Sequence, residues 1–222
     1  MSISFLVEYG PQLIVGLVRS LLISAVGLAL AICIGIVCGS LRHGRIAAAR
    51  LLIASYVNLF RCTPLLVQIF MIFFALPEIG VRLSPFATSV IALGLWGGAY
   101  LTEDIRAGLD AVSPKDILAA RALGMGAFTS FVDITLPLGL RYCLPAATTT
   151  ALNVFRSSSF MIVVSYSELT YVTNRVASET FAIFGTFGSA ALLYLATSLL
   201  LGHASRLIER AVHIPGFGRV TA

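Results

Sequence analysis

Charge is what this chain has least of: Asp, Glu, Lys and Arg together make up 11% of its 222 residues. A soluble globular chain carries roughly a quarter, so water is excluded as its general surroundings. No Gly-x4-Gly-Lys-Ser/Thr run occurs, which excludes ATP hydrolysis through a phosphate-cradling loop of that kind. There is no His-Glu-x-x-His pattern and no paired acid motif inside an apolar tract, and Ser157, Ser158 and Ser159 have no histidine near them in sequence. An intramembrane hydrolase is therefore a poor reading. Cys33, Cys38, Cys62 and Cys143 lie in or beside apolar tracts without metal-ligand spacing; they read as small packing residues rather than a disulfide framework. His43, His203 and His213 also lack metal spacing, and no chemistry is assigned to them. The opening MSISFLVEYGPQ has neither a basic n-region nor a small-residue cleavage site, so the first apolar tract is expected to be a retained helix.

What the chain has instead is length of apolar run. Hydrophobic residues make up 58% of it, and its mean hydropathy is +0.96. Tracts at 13–41, 51–76, 85–101, 137–164 and 181–205 approach or exceed the roughly 20 residues that cross a bilayer as a helix. They are continuous rather than alternating, which excludes a closed barrel of short strands. The expected fold class is an all-α integral membrane protein of about five transmembrane helices.

The formal net charge of +5 is spread along the edges of these tracts. Linkers after the first and third tracts, with the C-terminal tail, hold Arg42, Arg45, Arg50, Arg106, Lys115, Arg121, Arg141, Arg206, Arg210 and Arg219. The other side holds Arg82 and Arg175 beside Glu8, Glu78, Glu168 and Glu179. The positive-inside rule then places the N-terminus outside and the C-terminus in the cytoplasm, and spacing so regular argues against nucleic acid as a partner. The expected division is an external segment at 1–12, a transmembrane domain at 13–206 with a cytoplasmic loop at 104–136, and a cytoplasmic tail at 207–222.

Within that loop, Ser113-Pro114-Lys115-Asp116 predicts a helix start: a serine cap, a proline at the first helical position and an acid placed for a capping box. The helix should run through Ala119 and Ala120 and stop at Gly124. Residues 127–132 then predict a second short helix with Phe128, Phe131 and Val132 on one face, and Pro137 should open the next membrane helix. Phenylalanines on a short cytoplasmic helix are costly unless covered, by the chain's own helix ends or by a partner.

The order Ala119-Ala120, Gly124, nine residues, Ile134-x-Leu136-Pro137 resembles the loop signature Glu-Ala-Ala-x3-Gly-x9-Ile-x-Leu-Pro of binding-protein-dependent ABC importer permeases. Leu118 stands where that pattern has Glu. Arg61-Cys62-Thr63-Pro64-Leu65-Leu66-Val67-Gln68 is similar to the Arg-Gly-Thr-Pro-Leu-Leu-Val-Gln block of polar amino-acid permeases, with Cys62 in place of Gly. Gly98-Ala99-Tyr100 with Glu103 and Arg106, and Ser167-Glu168-Leu169-Thr170, match two further blocks, whereas Arg156-Ser157-Ser158-Ser159-Phe160 replaces the usual Lys-Asp-Thr-Ser-Leu. The resemblance covers about 13–210. It implies a type I ABC importer permease in a bacterial inner membrane, multi-pass, acting on a polar amino acid or derivative of histidine, glutamine, arginine or opine type. It also implies a dimer of ATP-binding subunits, a second permease chain and an external solute-binding protein as partners. This chain would hold no cofactor, since ATP and Mg would sit on the ATP-binding subunits.

On that reading Ala119, Ala120, Gly124, Phe128, Phe131 and Pro137 form the loop coupled to the ATPase. The departures at Leu118 and Ser157 favour a heterodimer of permeases over a homodimer. Intramembrane polar groups usually face a cavity or a partner, which marks Arg61, Gln68, Glu103, Arg156, Ser157 and Glu168 as the substrate pathway. Arg156 with Glu168 could clamp both ends of a zwitterion; alternatively, Arg61 and Arg156 pair structurally or snorkel to helix ends. Arg19 suits interface anchoring, and Trp96 reads as a packing residue. Gly35-x3-Gly39 and Gly94-x3-Gly98 suit close helix crossings. The rival is a gradient-driven secondary transporter, which should show inverted repeats and broken helices; neither is visible in the sequence, and that reading would leave the Ala-Ala…Gly loop unexplained.

Overall fold

The computed structural model describes residues 3–44 and 47–212; Arg45, His213 and Arg219, to which the sequence assigned sides or roles, lie outside the described residues. Helix α1 spans Ile3–His43, so the segment expected as an external N-terminal stretch is helical from Ile3. Tyr9 packs with Leu13, Leu169 and Val176, and Gln12 accepts a 2.7 Å bond from Arg175. These contacts explain the extension.

The second tract is not one straight span but a broken one, contrary to the sequence reading that no helix is broken. Helix α2, Ala47–Cys62, stops at Thr63-Pro64, and α3, Leu65–Phe70, leaves after a bend of 105°. Pro64 has no N–H to donate and disfavours the helical conformation in the residue before it, so the ladder breaks here. A π-turn at Met71–Ala75 and a 3-10 turn at Leu76–Ile79 complete the segment.

Helix α4, Pro85–Asp110, begins on the Ser84 hydroxyl, which accepts from Ala87 N, and on Pro85 at its first position. It is the hub of the bundle, packed on α1, α2 and α3, and on α7, Leu136–Ser157. Against α1 it approaches very closely. A methyl added at Gly35 would lie 2.7 Å from Leu101 Cβ, at Gly39 3.0 Å from Ile105, at Gly94 2.5 Å from Leu30 and at Gly98 2.9 Å from Ile34. Both small-residue pairs singled out in the sequence therefore serve one crossing.

Helix α5, Pro114–Ala122, precedes α6, Ala127–Ser130, which runs through a π-turn at Phe131–Thr135 directly into α7. The second short helix expected at 127–132 is thus the first turn of a long helical path. After α7 the chain tightens into a 3-10 segment at Ser158–Val164, then forms α8, Leu169–Thr180, and α9, Ile183–Val212. Helix α8, too polar to register as a tract, packs on α1 and α9.

Apolar side chains face outward along α1 and α9: Val15, Val18 and Leu22 on one, Leu192, Leu195 and Leu199 on the other, each about half exposed or more. Such stripes fit hydrocarbon surroundings. Inside, hydroxyls bond back to the preceding turn, as in Ser24 to Ser20 O (2.6 Å), Thr102 to Gly98 O (2.7 Å) and Thr173 to Leu169 O (2.6 Å), so these three buried hydroxyls are satisfied locally. Among the described residues, Val7–His43 and Ile183–Val212 are long and apolar enough to cross a membrane, and the bent pair Ala47–Cys62 with Leu65–Ile79 makes a third segment. The four cysteines are free, but only Cys143 is buried; Cys33 and Cys62 are exposed rather than packed in the core.

Candidate functional site: a polar cavity and a docking hairpin

The hairpin is built as its residues dictate. The Ser113 hydroxyl accepts from Lys115 N at 3.3 Å, capping α5. The expected capping box does not close: Asp116 is bound to Ser113 through its own backbone N–H, 3.0 Å from Ser113 O, and its Oδ2 is buried without a partner among the described residues. At the other end, Gly124 N donates to Arg121 O (3.0 Å) and Met125 N to Ala120 O (3.1 Å). This paired closure is a Schellman turn, and Gly124 holds the left-handed conformation it requires (φ 82°).

The turn fixes which side chains point away from the bundle. Leu118, Leu123 and Phe128 are 63%, 84% and 80% exposed, and Ala119 is exposed beside them while Ala120 is buried. Phe131 behaves differently from Phe128. It packs with Ile105, Leu109 and Cys143 and stacks on His43, ring centres 6.3 Å apart, so its cover comes from the chain itself. Pro137 stands in the first turn of α7.

Behind the hairpin, α1 and α4 are tied by charge. Glu103 pairs with Arg42 and with Arg106 (3.2 Å), Arg106 bonds Asp110 at 2.6 Å, and His43 Nδ1 lies 2.7 Å from Asp110 Oδ1. Glu103, expected in the substrate pathway, belongs to this network. His43, expected to have no role, helps hold it.

The cavity lies elsewhere, between α4, α7 and the 3-10 segment. It has a volume of about 380 Å³ and is lined by Trp96, Tyr100, Asn153, Arg156, Ser157, Ser159 and Phe160. The rings of Trp96 and Tyr100 are 4.7 Å apart. The Arg61 guanidinium sits over Tyr100, 4.9 Å from the ring centre, which brings the second arginine to the outer side of the cavity wall. Of the pathway residues expected from sequence, Arg156 and Ser157 line this space and Arg61 adjoins it.

Gln68 and Glu168 do not line it. Gln68 Nε2 donates to Phe60 O (2.9 Å), Thr63 O (3.1 Å) and Thr63 Oγ1 (2.9 Å), satisfying carbonyls that the Pro64 break leaves free. Glu168 is fully buried and caps α8. Its carboxylate accepts from Thr170 N and Tyr171 N (2.7 Å each), Tyr194 OH (2.9 Å) and Ser20 Oγ (3.3 Å). With its acceptor positions engaged, Glu168 is a structural capping group, and the Arg156–Glu168 clamp is not assembled. Trp96, Tyr100, Asn153 and Phe160 were missed as lining residues. The signal available for the first three was their spacing: Trp96 and Tyr100 are one helical turn apart, as Asn153 is from Arg156 and Ser157.

The chain is a helical bundle with an open pocket beside its central helix and an exposed apolar hairpin. The chain belongs to the family described as binding-protein-dependent transport system inner membrane component, which matches residues 31–214. It is 32% identical over 197 residues to a probable glutamine ABC transporter permease protein, GlnP, of Bacillus subtilis, covering 87% of this chain and 90% of that one. It is 29% identical to the nopaline transport system permease protein NocM of Agrobacterium fabrum, covering 94% and 91%. A crystal structure of an amino acid ABC transporter with histidines matches 95% of this chain and 100% of its own, at 29% identity and a TM-score of 0.86. The inward-facing MetNI methionine ABC transporter shares the fold, with a TM-score of 0.72 at 20% identity. The fold is that of type I ABC importer permeases.

Proposed function

We propose that this chain is the membrane-spanning permease subunit of a binding-protein-dependent ABC importer for a polar amino acid or amino-acid derivative. The observation that carries this reading is the hairpin: α5 with Leu118, its C-cap Leu123 and α6 with Phe128 present these side chains outside the bundle, where a partner would cover them. That partner is a separate ATP-binding subunit, working as a dimer and holding ATP and Mg. The hairpin transmits its closure through the continuous α6–α7 path to the helix that lines the cavity. Leu118 in place of the family's Glu makes this dock more apolar, and the departure favours pairing with a second, different permease chain. An external solute-binding protein delivers the ligand. The chain crosses the inner membrane about five times, with the Arg42–Glu103–Arg106 end on the cytoplasmic side; the basic linkers support that orientation. The gradient-driven alternative leaves the hairpin without a purpose.

Reconstitution of the importer into proteoliposomes with its ATP-binding subunit and solute-binding protein tests the reading. Uptake of a labelled amino acid should require ATP on the hairpin side and survive collapse of ion gradients. Uptake that instead followed an imposed gradient without ATP would contradict it.

A further inference from the structure

The charge that lines the cavity is of one sign. Arg156 lines it and Arg61 rests on its Tyr100 wall, while the remaining lining groups are aromatic rings, an amide and hydroxyls. No carboxylate lines it among the described residues. Nearby acids are engaged elsewhere. Glu168 accepts four hydrogen bonds in capping α8, and Glu103 is paired with Arg42 and Arg106. Asp104, one turn beyond Tyr100 on α4, accepts a 2.7 Å bond from the Thr150 hydroxyl. A cationic side chain entering this space would meet the Arg156 guanidinium, with Arg61 behind the Tyr100 ring, and no lining carboxylate. A ligand with carboxylate in excess of ammonium would meet a planar donor fork, with the Ser157 and Ser159 hydroxyls beside it, and its carbon skeleton would lie along Trp96 and Phe160.

Resting on the permease reading above, we infer that this cavity is selective for carboxylate-rich ligands, dicarboxylic amino acids or anionic amino-acid derivatives, and rejects basic amino acids. A volume of about 380 Å³ accommodates a ligand of that size.

The test is direct binding to the complete permease–ATPase complex in nanodiscs, without the external binding protein, whose own preference would mask that of the cavity. Tritiated L-glutamate is the probe, with unlabelled L-glutamine and L-arginine as competitors, and monodisperse elution checks each variant for folding. Glutamate is expected to bind at least tenfold more tightly than arginine. Arg156→Gln should lower glutamate binding about tenfold, and Ser157→Asp, which places a carboxylate on the wall, should reverse the glutamate-to-arginine order. Arginine binding as tightly as glutamate in the unaltered complex would overturn the proposal, as would an unchanged order in Ser157→Asp. Absence of binding by all three amino acids would overturn it too. In that event, ATP hydrolysis stimulated by the solute-binding protein would leave the importer reading standing, and its absence would bring down both.

Discussion

Glu168 and Tyr194 meet across α8 and α9, the carboxylate accepting from the phenol hydroxyl at 2.9 Å in a site with no solvent exposure at Glu168. Replacing Glu168 by Ala removes the α8 cap and leaves Thr170 N, Tyr171 N and the Tyr194 hydroxyl without their acceptor. The expected cost is about 2–3 kcal/mol, with Glu168→Gln milder because an amide oxygen still caps. Thermal unfolding in detergent measures it. Residual transport should keep its substrate preference, since Glu168 does not line the cavity.

The contact between α4 and α7 is closest at Gly108, where an added methyl would lie 2.3 Å from Gly139 O. That neighbour is backbone and cannot turn aside, so Gly108→Ala should destabilise by about 2–3 kcal/mol. Gly188→Ala is the control: nothing lies within 4 Å of its added methyl, and the change inside α9 should stabilise by about 0.5–1 kcal/mol. Paired melts of the two variants decide it.

Gly124 has open space around it but a φ of 82°, so its requirement is conformational rather than steric. Gly124→Ala should cost about 1 kcal/mol and Gly124→Val more, while Gly124→Asn should be tolerated best. The order of ATP-binding subunit recovered with each variant should follow Asn, Ala, Val.

Arg156→Lys keeps the charge but loses the planar fork. Glutamate binding to the permease–ATPase complex without the external binding protein should weaken about tenfold, equivalent to roughly 1.4 kcal/mol, with the amount of chain in the membrane unchanged. Unaltered glutamate binding and an unaltered glutamate-to-arginine order would reduce Arg156 to a structural role.

Much of this was legible in the sequence where the cause is local. Ser113, Pro114 and Gly124 specify the two ends of α5 by backbone chemistry alone, and they stand where expected. The Gly35–Gly39 and Gly94–Gly98 pairs reveal that helices cross closely, though not that all four meet in one crossing. What could not be read depends on tertiary context. Helix α8 has too little apolar length to register as a tract, yet buries Leu169, Val172 and Val176 against Leu13 of α1 and Ala190 of α9. The 105° bend at Thr63-Pro64 was not read from the apolar tract at 51–76, and its stabilisation by Gln68 requires knowing that the side chain folds back on Phe60 and Thr63. Glu168 looked like a pathway acid because sequence shows a charge in apolar surroundings and not the four donors converging on it.

The most direct test of the docking claim is recovery of the ATP-binding subunit with tagged chain in detergent, with and without the second permease, comparing the native hairpin with Ala119→Asp and Phe128→Asp. Both altered side chains are exposed on the bundle itself, so folding should be preserved. The account predicts co-purification with the native chain and its loss in both variants. Equal recovery with native and altered hairpins, or no recovery in any combination, would contradict it.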